Sequence, residues 1–444
     1  MRQRTMEHYQ SGRSSTESHL DLVGLGVLTV LESLHGANGP EFRQAVDGDA
    51  DAILQIMSGA FAREPGTQKY ERDRSRLREE IDTHWVLSRR GEVVGALHTQ
   101  VDEIQVGRTT ITKVDVGEVC VYPSCQSEGL GTILMQRLVD QLKADGHTLS
   151  RLGGYRRFYE RFGWAPFPRG SVEFPLQGLT SRSGFTDPVP FLDRVDEDVH
   201  IRPYDGKRDA EACERLYRAF NEGRTGARPT RSFGAGTGNP WQVVHEQEGE
   251  VRAYVFANQN DPPFGRLSSA VSISDAACDP AWTAPLGESL RYLLRQAAVS
   301  GAESVRARLP LDPTLYDLYR DASCGFIPSL WQSSEGGNML QILSLRRLLE
   351  GIAPELAARA KTAGLPCTDV TLRLQDETVG IVWNGKSVFV GDASRDPVEL
   401  GQDGLMKLIL GLLPAEQVVS RDRTDASILR TLFPVQPTAT GVWG

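Results

Sequence analysis

The chain has 444 residues, of which 40% are hydrophobic and 24% charged, a composition that predicts a globular protein of about three domains. Its formal net charge of −9 argues against a nucleic-acid-binding protein, which usually carries a basic excess. The six cysteines form no C-x-x-C pair and have no histidine at ligand spacing, so we expect reduced thiols and no metal site.

Residues 1–40 are predicted to be an extension that is polar at first and then apolar over Leu22–Leu31. Three arginines precede the apolar stretch, so a signal peptide is one interpretation. The charged region is long, however, and Glu32 follows at once, which favours a docking helix or an overlong gene start. No apolar run approaches the roughly 20 residues of a membrane span, so no membrane association is expected.

The next part of the chain alternates strand and helix patterns from Glu41 onwards, which predicts a mixed α/β domain over residues 41–195. Arg89-Arg90-Gly91-Glu92 separates two apolar runs and predicts a hairpin. The predicted elements are a helix over Asp49–Phe61, a strand over Val116–Tyr122, a helix over Gly131–Lys143, a strand near Leu149–Leu152 and a helix through Tyr155–Phe162.

The loop between the strand Val116–Tyr122 and the helix that follows it is the most informative motif. It has the form Gln-x-x-Gly-x-Gly over Gln126–Gly131, and it follows an apolar strand and a turn that begins at Pro123. Glycines let the backbone approach a ligand closely, and the first N–H groups of a helix have no partner inside the helix. Together with the helix dipole, these groups form a site for an anion such as pyrophosphate. A Gly-x-Gly loop by itself also occurs as a tight turn without a ligand.

A second segment follows one helix and one strand later: Tyr155-Arg-Arg-Phe-Tyr-Glu-Arg-Phe-Gly-Trp164. Together, the two segments resemble the GNAT superfamily of acetyl-CoA-dependent N-acetyltransferases. The resemblance implies acetyl-CoA as co-substrate, no metal, and a catalytic tyrosine near the coenzyme A sulfur. The cofactor-binding residues that it implies are Val119, Cys120, Val121, Gln126, Ser127, Glu128, Gly129, Leu130, Gly131, Thr132, Gly154 and Tyr155.

Residues 196–336 are predicted to be a degenerate second copy of this domain. When Pro280 is aligned on Pro123, a threonine, a leucine and a glutamate replace the glutamine and two glycines of the loop: Thr283, Leu286 and Glu288. A carboxylate and bulky side chains would repel pyrophosphate, so this copy is expected to be structural. Its predicted elements are a strand over Val271–Ala276, a helix over Gly287–Ala298 and a strand over Ser304–Leu309.

Residues 337–444 show a third pattern. Val370, Leu372 and Leu374 alternate with polar residues, and Asn384-Gly385 separates two apolar runs as a hairpin signal. Leu405–Leu412 then has the apolar spacing of one helix face. The segment resembles the sterol-carrier-protein-like fold, in which such a face is either core or the wall of an apolar tunnel.

The order of a GNAT domain, a degenerate GNAT domain and a sterol-carrier-like domain resembles the enhanced intracellular survival (Eis) family. The expected fold class is therefore mixed α/β, with tandem GNAT folds followed by an α+β domain. The resemblance implies a cytoplasmic homo-oligomer, a hexamer in several members, that acetylates the primary amine of a small cationic acceptor. Aminoglycosides, polyamines and lysine-like amines fit this description. The alternatives are a non-catalytic carrier of an apolar ligand and an acetyltransferase acting on protein lysines.

Three groups are candidates for catalysis. Tyr159 matches the tyrosine general acid of the Eis family, and a phenol with a pKa of about 10 can protonate a departing thiolate. In that family the terminal carboxylate removes the amine proton, which would be Gly444 here, although Trp443 puts the expected aromatic residue one place early. Glu118, on the strand beside the acetyl group, is the other candidate base, and loss of the proton to water is a third route. The Val121 N–H is a candidate donor to the carbonyl oxygen.

Overall fold

The computed structural model describes residues 39–176, 200–260, 270–419 and 425–436. The chain divides into two compact units, and the first comprises residues 39–99 and Gly117–Leu138. The second unit comprises Gln100–Val116 and the residues from Val139 onwards. The predicted apolar segment Leu22–Leu31 and the candidate base Gly444 lie outside the described residues.

The secondary structure can be given in chain order. The strands are β1 (Glu41–Gln44), β2 (His84–Arg89), β3 (Glu92–Val106), β4 (Thr109–Val121), β5 (Leu149–Tyr155), β6 (Ala165–Pro166), β7 (Arg169–Pro175), β8 (Ile201–Pro203), β9 (Gln242–Gln247), β10 (Glu250–Asn260), β11 (Ala270–Cys278), β12 (Ser304–Ala307), β13 (Ile327–Trp331), β14 (Gly336–Ile342), β15 (Thr368–Leu374), β16 (Glu377–Trp383), β17 (Val388–Gly391) and β18 (Val398–Glu399). The helices are α1 (Ala50–Phe61), α2 (Gln68–Glu79), α3 (Leu130–Ala144), α4 (Arg156–Tyr159), α5 (Gly206–Asn221), α6 (Ala284–Val299), α7 (Tyr316–Asp321), α8 (Leu345–Thr362), α9 (Gln402–Ile409), α10 (Ala415–Val418) and α11 (Asp425–Leu432).

In the first unit, β1 pairs with β2 and β2 pairs with β3, both in antiparallel fashion. The hairpin predicted between β2 and β3 is confirmed, because Arg90 and Gly91 both have the positive φ angles, 57° and 83°, that a tight hairpin turn requires. The apolar face of α1 packs on this sheet. Its buried core includes Ile53, Met57 and Val86.

Helix α2 was not predicted from the sequence. Most of its residues are charged, and Leu77 is its one buried apolar side chain. The helix begins because Thr67 caps it by accepting a hydrogen bond from the Tyr70 N–H. A cap and a single apolar contact are too weak a signal to stand out from a charged surface loop.

The second unit contains three groups of paired strands. β4 and β5 pair in parallel over Lys113–Val116 and Leu149–Leu152, and β14 pairs with both β5 and β6. A seven-stranded sheet has the order β13-β7-β12-β11-β10-β9-β8, and a four-stranded sheet has the order β17-β16-β15-β18. The predicted hairpin at Asn384-Gly385 is confirmed as the connection between β16 and β17.

Two strands cross the domain boundaries expected from the sequence. β7 precedes residue 195, but it lies between β12 and β13 in the seven-stranded sheet. β14 begins at Gly336, but it lies between β5 and β6. The first GNAT-like segment therefore contributes β7 to the sheet of the second, and a strand from the start of the predicted third domain lies between β5 and β6. Local pattern reveals that a segment is a strand but not which distant strand it will pair with.

The second unit has two main cores. In one, β10, β11 and α6 enclose Tyr254, Leu290 and Phe174. In the other, α8 packs on the four-stranded sheet through Leu349 and Ile352, which are fully buried. Among the described residues, no helix is both long enough and apolar enough to cross a bilayer.

Candidate active site

The loop after β4 presents a row of unpaired backbone donors. A 3-10 turn over Pro123–Cys125 leads from β4 into the loop, and α3 begins at Leu130. The backbone N–H groups of residues 127–131 have no acceptor among the described residues. Hydrogen bonding begins with the next two residues of α3. The N–H groups of Thr132 and Ile133 donate to the Gly129 carbonyl at 3.0 and 3.2 Å. Five consecutive donors at a helix start form an anion-binding arrangement.

The conformation of this loop explains the unpaired donors. Ser127 and Gly129 both have positive φ angles, 68° and 81°, and the alternation of such residues with ordinary ones turns successive N–H groups towards one side. The loop residues from Gln126 to Gly129 are exposed, so a ligand can approach their backbone.

A cation that the sequence argument missed stands beside the loop. Arg89, the last residue of β2, donates to Glu128 Oε2 at 2.5 Å and to Cys125 Sγ at 3.5 Å. Glu128 would otherwise place an unbalanced negative charge beside an anion site. The hairpin predicted at Arg89 places this residue beside β3 and not beside the loop after β4, so the sequence pattern did not indicate this contact.

Glu118 lies at the centre of a polar cluster in the first unit. Its Oε1 accepts from Arg76 Nη2 at 2.5 Å and from Arg63 Nη1 at 3.4 Å, and its Oε2 is 3.7 Å from Nε2 of His84. Arg63 also pairs with Asp73 at 2.8 Å. We call Arg63, Asp73, Arg76, His84 and Glu118 the β4 charge cluster.

The charge cluster is shielded from water except at Arg76, whose side chain is 42% exposed. The side chains of Glu118 and Arg63 are 15% and 12% exposed, and that of His84 is 1% exposed. Burial raises the pKa of Glu118, but the contacts with His84, Arg76 and Arg63 outweigh it, and the pKa falls from 4.5 to about 2. Because His84 is too distant for a good hydrogen bond, we ascribe most of this fall to the arginines. The Glu118 carboxylate is ionised at neutral pH.

The backbone at Glu118 departs from a regular strand. Its φ of 54° is in the left-handed region, which costs a non-glycine residue roughly 1–2 kcal/mol. The alternation rule that would place Glu118 and Cys120 on one face therefore does not apply at Glu118. The direction of the Glu118 side chain is set by the two arginines that it contacts, Arg63 and Arg76.

Cys120 is a buried thiol on the same strand. It is 5% exposed and donates to the Ala96 carbonyl at 3.6 Å. Burial, together with the nearby charge of Glu118, raises the pKa of the Cys120 thiol to about 12. A thiol in this state is a poor nucleophile, which disfavours an acyl-cysteine intermediate on β4.

In the second unit, Tyr159 ends the short helix α4, directly after β5. Its half-buried ring lies edge-on to Phe158 at 4.9 Å and to Trp164 at 6.4 Å between centroids. It also lies over Gly154, where a Cβ atom would come within 2.1 Å of Tyr159 Cε2. The glycine at 154 is thus required for this ring position. Tyr155, by contrast, is 79% exposed.

The start of the corresponding helix in the second copy is different. Thr283 precedes α6, Leu286 is fully buried, and Glu288 Oε2 is 2.8 Å from His245 Nε2. These are the bulky and acidic side chains that the sequence alignment placed there. Among the described residues, no group of three or more His, Cys, Asp or Glu side chains is arranged to hold a metal.

Residues 41–167 match the family described as an acetyltransferase (GNAT) domain. A search of curated proteins found no significant match to this sequence.

Several solved structures share the fold of nearly the whole chain. A GCN5-related N-acetyltransferase from Anabaena variabilis has a TM-score of 0.62 at 14% identity, covering 90% of this chain and 98% of that chain. A probable N-acyltransferase from Enterococcus faecalis has a TM-score of 0.63 at 14% identity, with the same coverage. Eis1 from Mycobacterium abscessus has a TM-score of 0.53 at 16% identity, covering 90% of this chain and 99% of that chain.

The chain therefore contains a GNAT acetyltransferase domain at residues 41–167. Its mixed α/β architecture agrees with the predicted fold class of tandem GNAT folds and a further α+β domain. At these identities the likeness to solved structures establishes the fold and nothing finer. The sterol-carrier likeness of residues 337–444 stays a prediction.

Proposed function

We propose that this protein is an acetyl-CoA-dependent N-acetyltransferase that transfers an acetyl group to a primary amine of a small cationic acceptor. The observation that carries the proposal is the row of five unpaired N–H groups at residues 127–131. The pyrophosphate of coenzyme A is the anion that a GNAT domain would place there. The acceptor class, a small amine of the aminoglycoside, polyamine or lysine-like type, is the one that the resemblance to the Eis family implies.

The donor would bind along β4 and its loop. Val119, Cys120 and Val121 follow the stretch of β4 that pairs with β5, which ends at Val116, so their backbone can pair with the pantetheine arm. The Val121 N–H would then donate to the thioester oxygen as negative charge develops on it. Arg89 would offset the charge of Glu128 beside the phosphates.

The reaction that we propose is a direct attack. The amine nitrogen attacks the thioester carbonyl carbon, the tetrahedral intermediate collapses, the C–S bond breaks, and coenzyme A leaves as a thiolate. Tyr159 would donate its phenolic proton to that sulfur, the role implied by the Eis-like Tyr-Glu-Arg-Phe-Gly sequence. The high pKa of Cys120 supports direct attack over transfer through a cysteine.

The amine must first lose a proton. A primary ammonium has a pKa of about 10, whereas the pKa of Glu118 is about 2. Proton transfer from the amine to Glu118 would therefore be unfavourable by roughly eight pKa units, or ~11 kcal/mol. We therefore propose that Glu118 orders the β4 charge cluster and that the proton leaves by another route. The carboxylate of Gly444 and loss to water stay as the two predicted routes.

The test is calorimetric titration of the full-length protein with acetyl-CoA, followed by an assay of thiol release with a panel of amines. Gly131→Glu would install in the first loop the carboxylate that Glu288 provides in the second copy. We expect acetyl-CoA affinity to fall at least ~100-fold, because the new charge faces two phosphates. Gly48→Glu, at an exposed glycine in the same unit with open space around it, is the matched control.

Wild-type affinity in Gly131→Glu, or no heat with acetyl-CoA in the wild type, would contradict the proposal. Binding of acetyl-CoA without thiol release for any amine would instead favour a protein-lysine acceptor. That alternative is scored by acetyl-lysine in treated lysates.

A further inference from the structure

A cavity lies in the seven-stranded sheet, in a part of the chain to which no activity has been assigned. Its volume is about 640 Å³, and its walls come from β7, β10, β11, β12 and β13 together with Arg308, directly after β12. On these strands, alternate residues such as Val172, Val305 and Val271 are buried in the core. The residues between them point to the opposite face of the sheet, where the cavity lies.

Three arginines line this cavity: Arg169, Arg306 and Arg308. None of them forms an ion pair within the described part of the chain. The described lining includes no aspartate or glutamate. Burial and the neighbouring Arg151 and Arg308 lower the pKa of Arg169, so these positive charges already oppose one another. Such a group of cations is stabilised by an anion placed among them.

Arg306 lies on β12, two residues before Arg308. It is the Cα partner of Ser272 on β11 and of Glu173 on β7. Glu173 is the nearest carboxylate in register, but it forms no ion pair with Arg306 among the described contacts and is not part of the cavity lining. The arginine is exposed, so its guanidinium can reach a ligand that enters from solvent.

The remaining lining residues fit a polar ligand with one flat face. Ser171 and Ser329 share a hydrogen bond of 3.0 Å between their hydroxyls, and Ser274 donates to the Phe256 carbonyl at 3.1 Å. Trp331 is 59% exposed at the rim and is the Cα partner of Arg169. An exposed indole next to a guanidinium is suited to stack on a planar ring.

We propose that this cavity binds a small organic anion, one that carries a phosphate or carboxylate group on a planar ring. The arginines hold the anionic group, the hydroxyl of the Ser171–Ser329 pair whose proton is not used within the pair supplies a neutral hydrogen bond, and Trp331 covers the ring. The size of the cavity is in the range of small-molecule sites. The cavity shares no residue with the loop Gln126–Gly131, so this proposal does not depend on the proposed acetyl transfer.

The test is titration calorimetry of the full-length protein with phenyl phosphate, benzoate, inorganic phosphate and citrate. In the wild type we expect saturable binding that weakens as salt is raised. In Arg306→Gln/Arg308→Gln, the Kd should rise at least ~10-fold for every anion, because charged hydrogen bonds are lost. Arg215→Gln, which removes an exposed arginine on α5, is the control and should bind as the wild type does.

Two further variants separate the possible outcomes. Trp331→Ala should weaken phenyl phosphate and benzoate but leave inorganic phosphate and citrate unchanged. Gly131→Glu should leave all four affinities unchanged, whereas binding lost in that variant would assign the anion to the coenzyme A loop and overturn the proposal. Equal affinity in wild type and Arg306→Gln/Arg308→Gln, or no saturable binding of any probe up to the millimolar range, would also overturn it. A stronger response to phosphates than to carboxylates identifies the anionic group.

Discussion

Replacing Glu118 by glutamine should destabilise the first unit in a manner that depends on pH. Glutamine has the shape of a protonated glutamate, so the variant reproduces the wild-type cluster as it would be at very low pH. The pKa of Glu118 falls from 4.5 to about 2 on folding. This fall in pKa corresponds to ~3 kcal/mol of stability. The value is not reduced for screening by solvent, because the Glu118 side chain is 15% exposed.

The sign follows from proton linkage. A carboxyl group whose pKa is lower in the folded state contributes stability above its unfolded pKa, and this stability is lost as the pH falls from 4.5 towards 2. The difference in the free energy of unfolding between wild type and Glu118→Gln should therefore be ~3 kcal/mol at pH 7. At pH 3 it should shrink to less than half of that value, roughly 1.4 kcal/mol.

Hydrogen–deuterium exchange read by mass spectrometry suits this measurement, because peptides from α1, α2 and β2 report the opening of the first unit separately from the rest of the chain. Glu92→Gln is the control, since Glu92 is exposed and no ion pair involves it among the described residues. It should change protection by less than ~0.5 kcal/mol. A loss of equal size at pH 7 and pH 3, or no loss at either, would refute the assignment of the low pKa to the arginine contacts.

Three more changes follow from the geometry around the proposed chemistry. Tyr159→Phe should lower turnover by ~100-fold or more, as expected for loss of a general acid. Its acetyl-CoA affinity, measured by calorimetry, should stay the same. Turnover at the wild-type rate would show that Tyr159 is not the general acid. Gly154→Ala should displace the Tyr159 ring, because its Cβ would meet Cε2 at 2.1 Å, so turnover should fall with Tyr159 intact. In Gly153→Ala, where the added Cβ meets nothing closer than 4.0 Å, turnover should be retained. Cys120→Ala should keep most activity. Iodoacetamide should leave native Cys120 unmodified at neutral pH, because burial raises the pKa of its thiol to about 12. Detection of an acyl-cysteine by mass spectrometry would contradict both expectations.

The sequence predicted the elements that local chemistry determines. The spacing of Ile53, Leu54 and Met57 sets α1, and the Arg90-Gly91 turn sets the β2–β3 hairpin. The glycines of the loop Gln126–Gly131 and the start of α3 were equally predictable, because the motif depends on backbone conformation within seven residues.

What the sequence did not reveal depends on contacts between distant residues. The placement of β7 and β14 in their sheets involves partners more than 100 positions apart, such as Val172 and Ala307. The β4 charge cluster joins Glu118 to Arg63 and Arg76, which belong to a region whose mixed charges gave no indication of a partner. Those contacts are the reason for proposing a structural charge at Glu118 instead of a base, and the residue type is the same in both cases.

The strain at Glu118 gives a further reason to assign it a positioning role. A left-handed backbone costs roughly 1–2 kcal/mol, which is less than the ~3 kcal/mol contributed by the ionised carboxylate among its arginines. The ion pairs can therefore hold the distortion in place. The distortion occurs directly before Val119, where the proposed pantetheine contacts begin. A change in the charge of Glu118 would therefore also alter the strand that we propose aligns the thioester. A carboxylate that took up a proton in every catalytic cycle would release this constraint each time, whereas one that stays ionised keeps the strand fixed.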